Sequence, residues 1–269
     1  MRTVHALLLS ALVAGCASAP FPPSAQGPSS VAVAGAESPS PEARALPAKA
    51  GLDPTPFSTA IALDVLPAGW RPYRLARFKK PTLYKLVAYN ESVAMRAQSD
   101  SSASGLQHDV SVDVHEYPWL SWHWKVPELI SGADNTLQHV DDSPARVVVT
   151  FEGGREKLPE AEQINYDLAK ALSGNELPFA TIMYIWENNL PQGTVIDHPM
   201  TTRIKMIVVA SGPMDLGRWH EKRVNVLEDF RRAFGEEPPH IRAVGILSDS
   251  DNTGSQAVAY YGDIRFRKR

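Results

Sequence analysis

Aspartate recurs at alternate positions in Asp249-Ser250-Asp251-Asn252-Thr253-Gly254, a polar stretch set between two hydrophobic runs. Oxygen ligands at alternate positions with a glycine for the sharp turn copy the first half of a calcium loop. The copy breaks at the twelfth position, Tyr260, where such a loop needs a bidentate glutamate, so an EF-hand is excluded. A partial cage on Asp249 and Asp251 could still take Ca2+ if a second loop supplied a carboxylate. Otherwise the stretch is a turn, which Asp, Asn, Thr and Gly build readily.

The second loop is at hand in His139-Val140-Asp141-Asp142-Ser143-Pro144-Ala145-Arg146. Asp141 or Asp142 could complete a cation site, or the pair could act as acid and base on a glycan. The plainer reading makes Asp142-Ser143-Pro144 a turn and Arg146 an outward strand residue pairing with an aspartate. Among the aromatic residues, Trp122 and Trp124 share one face of a strand with Leu120 and Val126 and read as core. Trp119 and Trp186 lie nearer strand ends, where ligand-stacking platforms tend to sit.

Other chemistry is missing. His220-Glu221 lacks the second histidine of a zinc protease helix, and there is no G-x-S-x-G elbow, phosphate loop or dinucleotide fingerprint. A formal net charge of −3 with no basic run argues against a nucleic-acid partner. Arg218, Lys222, Arg223, Arg231 and Arg232 read as the solvated side of a helix.

These residues need a scaffold, and period-two alternation supplies it. Strands are predicted at Tyr73–Phe78, Leu83–Tyr89, Ser92–Ser99, Gly105–Val114, Leu120–Val126, Ala145–Phe151, Phe179–Trp186, Arg203–Ala210, Ile241–Leu247 and Val258–Phe266. Two helices interrupt them. In PEAEQINYDLAKALSGN, Pro159 opens the first turn, Ile164, Leu168 and Leu172 share a face, and Gly174 caps the end. In HEKRVNVLEDFRRAFGEEPP, Val224, Leu227, Phe230 and Phe234 form a stripe ending at Gly235. Each helix should cover a sandwich end or a sheet face. The expected fold is mainly β: a two-layer jelly-roll-like β-sandwich with two helical insertions.

The amino-terminal end reads differently. Arg2, the apolar stretch Ala6–Val13 and the lipobox-like Val13-Ala14-Gly15-Cys16 predict a lipoprotein signal peptide over residues 1–15, with Cys16 lipidated. Such acyl chains would anchor the protein durably. Ala17 after the cysteine points to the outer membrane. Residues 16–55, rich in Pro, Ala and Ser, form a disordered tether with a reach of about 35 Å, and residues 56–269 form a single domain. Cys16 is the only cysteine, so the domain has no disulfide.

The order of Leu120-Ser121-Trp122-His123-Trp124-Lys125-Val126, Asp141-Asp142-Ser143-Pro144-Ala145-Arg146, Phe234-Gly235-Glu236-Glu237-Pro238-Pro239, Asp249-Ser250-Asp251-Asn252-Thr253-Gly254 and Tyr261-Gly262-Asp263-Ile264 resembles the bacterial family catalogued as domain of unknown function 3047. The resemblance runs from about Pro67 onward and implies a galactose-binding-like β-sandwich, without an activity. The leading expectation is therefore a non-catalytic envelope lipoprotein facing the periplasm. It would bind a carbohydrate or another envelope component at loops carrying Asp141, Asp142, Arg146, Trp186, Asp249, Asp251 and Asn252. A cation-assisted hydrolase or lyase on envelope polysaccharide, and an assembly partner of envelope proteins with an exposed apolar patch, are the alternatives.

Overall fold

The computed structural model describes residues 50–174 and 178–268. The expected signal peptide, Cys16 and nearly all of the expected tether lie outside the described residues. No helix among those described is long and apolar enough to cross a membrane.

In chain order the elements are β1 (Trp70–Arg74), β2 (Leu83–Tyr89), β3 (Ser92–Asp100), β4 (Ala103–Val112), β5 (Trp119–Lys125), β6 (Ser143–Phe151), α1 (Glu160–Ser173), β7 (Ala180–Glu187), β8 (Val195–Asp197), β9 (Ile204–Ser211), β10 (His220–Asn225), α2 (Val226–Phe234), β11 (Ile241–Asp249) and β12 (Gln256–Arg267). They form a seven-stranded sheet, β1-β4-β11-β6-β7-β9-β8, and a five-stranded sheet, β10-β5-β12-β3-β2. All pairings are antiparallel except β7 with β9. The chain is thus mainly β, a two-layer jelly-roll-like sandwich, as its alternating pattern requires.

The alternation in β5 shows how the layers close. Leu120, Trp122 and Trp124 are at most 1% exposed and face the other sheet. Trp122 meets Tyr184 of β7 at 5.5 Å between ring centroids, and Trp124 meets Trp186 at 5.9 Å. Large rings bury more apolar area than any other side chain, so this stack dominates the inter-sheet core.

Two corrections concern the helices. Residues His220–Asn225 form an edge strand on β5, and α2 begins only at Val226, because Asn225 accepts a hydrogen bond from Glu228 N at 3.2 Å and caps the helix. Phe230 docks on Phe151 at 4.5 Å, and Gly235 at φ 72° ends the helix as expected. The first helix exposes the side expected to be covered: Ile164 is 65% and Leu168 49% exposed, while Tyr166 and Glu162 are buried. Leu172 lies outside the described side chains. Glu162 explains the rotation, for its carboxylate accepts hydrogen bonds from Thr201 Oγ1, Thr202 N and Thr202 Oγ1.

An amino-terminal strap crosses both sheets. Gly51 O accepts from Ser111 N of β4, Asp53 accepts from Phe266 N of β12 at 2.6 Å, and Ser58 donates twice to Asp263. Phe57 stacks on Trp70 at 4.6 Å and anchors the strap in the core.

Candidate functional site

The residues singled out in the sequence do converge. Arg146 sits on the face of β6 opposite the inter-sheet core, yet it is only 2% exposed. Its Nε donates to Asp249 Oδ1 at 3.1 Å and its second terminal nitrogen to Asp141 Oδ1 at 3.0 Å. Asp142 accepts from Asn252 N at 3.1 Å, Thr253 N at 2.7 Å and Thr253 Oγ1 at 2.6 Å. Asp249 also accepts from Ser143 N at 2.9 Å, and Asp251 pairs with Lys79 at 2.7 Å. The two loops are therefore latched through carboxylates and backbone N–H groups.

Burial, reinforced by the Asp141 and Asp142 carboxylates, pushes Asp249 up to about 7 despite the Arg146 guanidinium beside it. Burial works against Asp141 as well, but Arg146 and Asn135 together hold it below the usual carboxylate value. Asp142, Asp249 and Asp251 each offer an oxygen within 4.8 Å of the others, a donor set suited to a hard cation such as calcium. Two of these three carboxylates already receive several protein donors, whereas Asp251 Oδ1 is buried with none.

This cluster is closed to a polymer. Asp142 and Asp249 are 1% and 6% exposed, and they line neither the depression beside residues 129–140 nor a groove on the five-stranded sheet. Acid and base catalysis on a glycan needs two accessible carboxylates spaced roughly 5–9.5 Å apart, which this arrangement does not present. Trp186 is corrected too. It is 1% exposed, donates Nε1 to Gly212 O at 3.2 Å, and cannot serve as a stacking platform. Trp119 is half-buried, with the Arg223 guanidinium 4.5 Å above its ring.

The open site lies elsewhere, on the outer face of the five-stranded sheet. There a groove of about 540 Å³ is lined by Ser58, Tyr89, Ala94, Ser121, His123, Trp219, Glu221, Gly262, Asp263 and Arg265, among others. Its shape follows from local sequence. The outward positions of β5 are Trp119, Ser121, His123 and Lys125, because Leu120, Trp122 and Trp124 turn inward. The register of β12 on β5 slips between Tyr261 and Ile264, a bulge that falls at Gly262-Asp263 in the middle of the groove. Bulges re-aim side chains, and here Asp263 turns to the strap, accepting from Ser58 N at 3.0 Å and Ser58 Oγ at 2.6 Å.

Gly262 holds the floor open. A Cβ at this position would stand 3.1 Å from His123 Cβ and 3.8 Å from Trp219 Cζ3. Trp219 packs against Tyr89 at 5.1 Å and Tyr260 at 6.4 Å between centroids, and Lys125 Nζ stands 5.6 Å from the centre of each tyrosine ring. Three half-exposed or exposed rings thus flank a polar trough whose floor positions, Ala94 and Gly262, are small.

Sequence reasoning missed Tyr89, Trp219 and Tyr260 as a group because they are far apart in the chain, and although Ser211-Gly212 with Trp219 downstream is part of the family resemblance, that pattern says nothing of which face the ring takes. One signal was present: Ser121, His123 and Lys125 had to face outward once Trp122 and Trp124 were read as core.

A two-sheet sandwich carrying an open groove on its smaller sheet belongs to the broad class of jelly-roll-like β-domains. More particularly, the model of the family described as Protein of unknown function (DUF3047) matches residues 68–265, and the chain belongs to that family. No curated protein matches it in sequence. Among solved structures it is similar to the family 11 carbohydrate-binding module of the cellulase Lic26A-Cel5E of Clostridium thermocellum, with 9% identity, TM-score 0.40, and 82% of this chain and 96% of that one covered. It is also similar to the xyloglucanase domain of NopAA from Sinorhizobium fredii, with 8% identity, TM-score 0.41, and coverage of 75% and 95%.

Proposed function

We propose that this protein is a non-catalytic glycan-binding module of the bacterial envelope, held by a lipid on Cys16 and binding its ligand in the groove of the five-stranded sheet. The groove itself supports this reading: rings for sugar faces, hydroxyl, imidazole and carboxylate groups for sugar hydroxyls, and a floor of small residues, all borne on strands. Binding sites of this kind combine an apolar surface with a few fixed polar groups.

The test is binding of the full chain, and of its Trp219→Ala and Gly262→Val variants, to a panel of soluble polysaccharides by affinity electrophoresis. Loss of an aromatic anchor should weaken binding by about thirtyfold or more, the equivalent of a 2 kcal/mol hot spot. Valine at 262 should block the groove without touching Trp219. Retention on every gel unchanged by both substitutions would remove the site. Membrane anchorage is checked separately: the full chain should incorporate a labelled fatty acid and fractionate with the outer membrane, and Cys16→Ser should do neither.

A further inference from the structure

A single cross-strand row on the outer face of the five-stranded sheet places Lys85 opposite Arg96, Arg96 opposite Tyr260, and Tyr260 opposite Lys125. With neighbouring strands about 4.8 Å apart, the row spans roughly 15 Å. Lys85 and Arg96 are like charges directly opposite each other, an arrangement that destabilises a sheet. Arg223, opposite Ser121 at the rim of the groove, adds a further cation.

Among the described residues none of these four has a carboxylate partner. Arg96 donates to Gln98 Oε1 at 2.8 Å, Lys125 rests between two tyrosines, and Arg223 lies over Trp119. The other two cations on this face are matched, Arg265 by Asp263 at 3.2 Å and Arg267 by Asp53 at 3.1 Å. The surplus is local, since the whole chain carries a formal charge of −3.

Resting on the glycan-binding reading, we infer that the ligand is an anionic polysaccharide bearing carboxylates along its length, a polyuronate. A chain crossing the strands would lay pyranose faces on Trp219, Tyr89 and Tyr260. Its carboxylates would meet Lys85, Arg96, Lys125 and Arg223, where guanidinium groups can take them in bidentate fashion. The cost of holding Lys85 against Arg96 would then be offset in the complex.

Affinity electrophoresis and calorimetry with polygalacturonate, hydroxyethylcellulose and single-stranded poly-dT, each at low and at moderate salt, test this on the full chain and on a Lys85→Gln, Arg96→Gln, Lys125→Gln variant of it. These side chains stand on the solvent face, and a melting temperature no lower than the parent's would confirm that the variant folds. The expected result is polygalacturonate binding that salt weakens and that the variant lowers by about tenfold or more, with hydroxyethylcellulose bound more weakly and indifferent to both. Equal binding of the neutral polymer, or a variant as tight as the parent, would overturn the polyuronate inference while leaving the glycan reading in place. Binding to neither polysaccharide would overturn both, and poly-dT bound as tightly as polygalacturonate would reassign the face to polyanions in general.

Discussion

Asp142 spends its carboxylate on three donors from the loop after β11, so its removal takes the acceptor from the N–H groups of Asn252, an exposed residue, and of half-buried Thr253. Hydrogen bonds to a charged acceptor are the strong ones, and Asp142→Ala should cost about 1.5–3 kcal/mol, lowering the melting temperature by about 3–12 °C. A loss under about 1 kcal/mol would mean the loops are held by something else. Asp249 gives the cluster a pH signature. Its folded value of about 7 lies above its ordinary value of 3.8, so the native state keeps a proton that the unfolded chain has released. The stability this contributes is full below about pH 4 and is lost as pH rises through 7. Urea titrations between pH 5 and 8 should show stability falling with pH, and Asp249→Asn should flatten that slope. Because protein donors already occupy most of the cluster's oxygens, millimolar calcium at pH 7.5 should leave the melting temperature unmoved. A rise of about 5 °C or more, lost in Asp251→Asn, would instead make the latch a cation site.

The most informative elements are the capped helix α2 and the bulged strand β12. Asn225→Ala removes the acceptor for Glu228 N and should cost about 1 kcal/mol, visible as a melting temperature lower by about 2–4 °C; no change would place the helix start elsewhere. Much of this level was legible in the sequence. Strand β2 lies at its expected bounds, and most other expected strands overlap the observed ones with ends shifted by a residue or two, because each carries either alternation over one buried face, as β5 does, or a short apolar block buried on both faces, as β7 does; the first, expected at Tyr73–Phe78, ends four residues earlier at Arg74. Strand β10 was not, for Val224, Leu227 and Phe230 fit a helical spacing equally well, and only the pairing of His220–Asn225 with β5 breaks the tie. Strand β8 is three residues long and too short for any period. The exposed stripe of α1 shows the complementary limit: spacing reveals that Ile164 and Leu168 share a face, but a tertiary partner decides whether that face is covered. The candidate site divides similarly. The Asp141–Asp142–Arg146 and Asp249–Asn252 segments announced themselves by composition, whereas the groove is made by Gly262 and Ala94, whose contribution is what they lack.

At the scale of the molecule the sandwich depends on Trp122, Trp124, Tyr184 and Trp186 meeting across the layers. Trp122→Ala should cost about 3–5 kcal/mol and be visible as a large loss of thermal stability; a mild effect would mean that the contact between the layers rests on the other buried residues of the core, such as Leu120 and Phe266. The outer groove should survive more gently, since none of those rings reaches it. The strap ties these levels together. It enters at residue 50, passes Asp53 and Phe57, and ends with Ser58 in the groove wall, bonded to Asp263. A tug on the chain ahead of residue 50 would load those hydrogen bonds one after another before any strand of the two sheets. Mechanically, the groove stands next in line after the strap, so tension entering ahead of residue 50 would reach the groove wall at Ser58 and Asp263 before it reached the sheets.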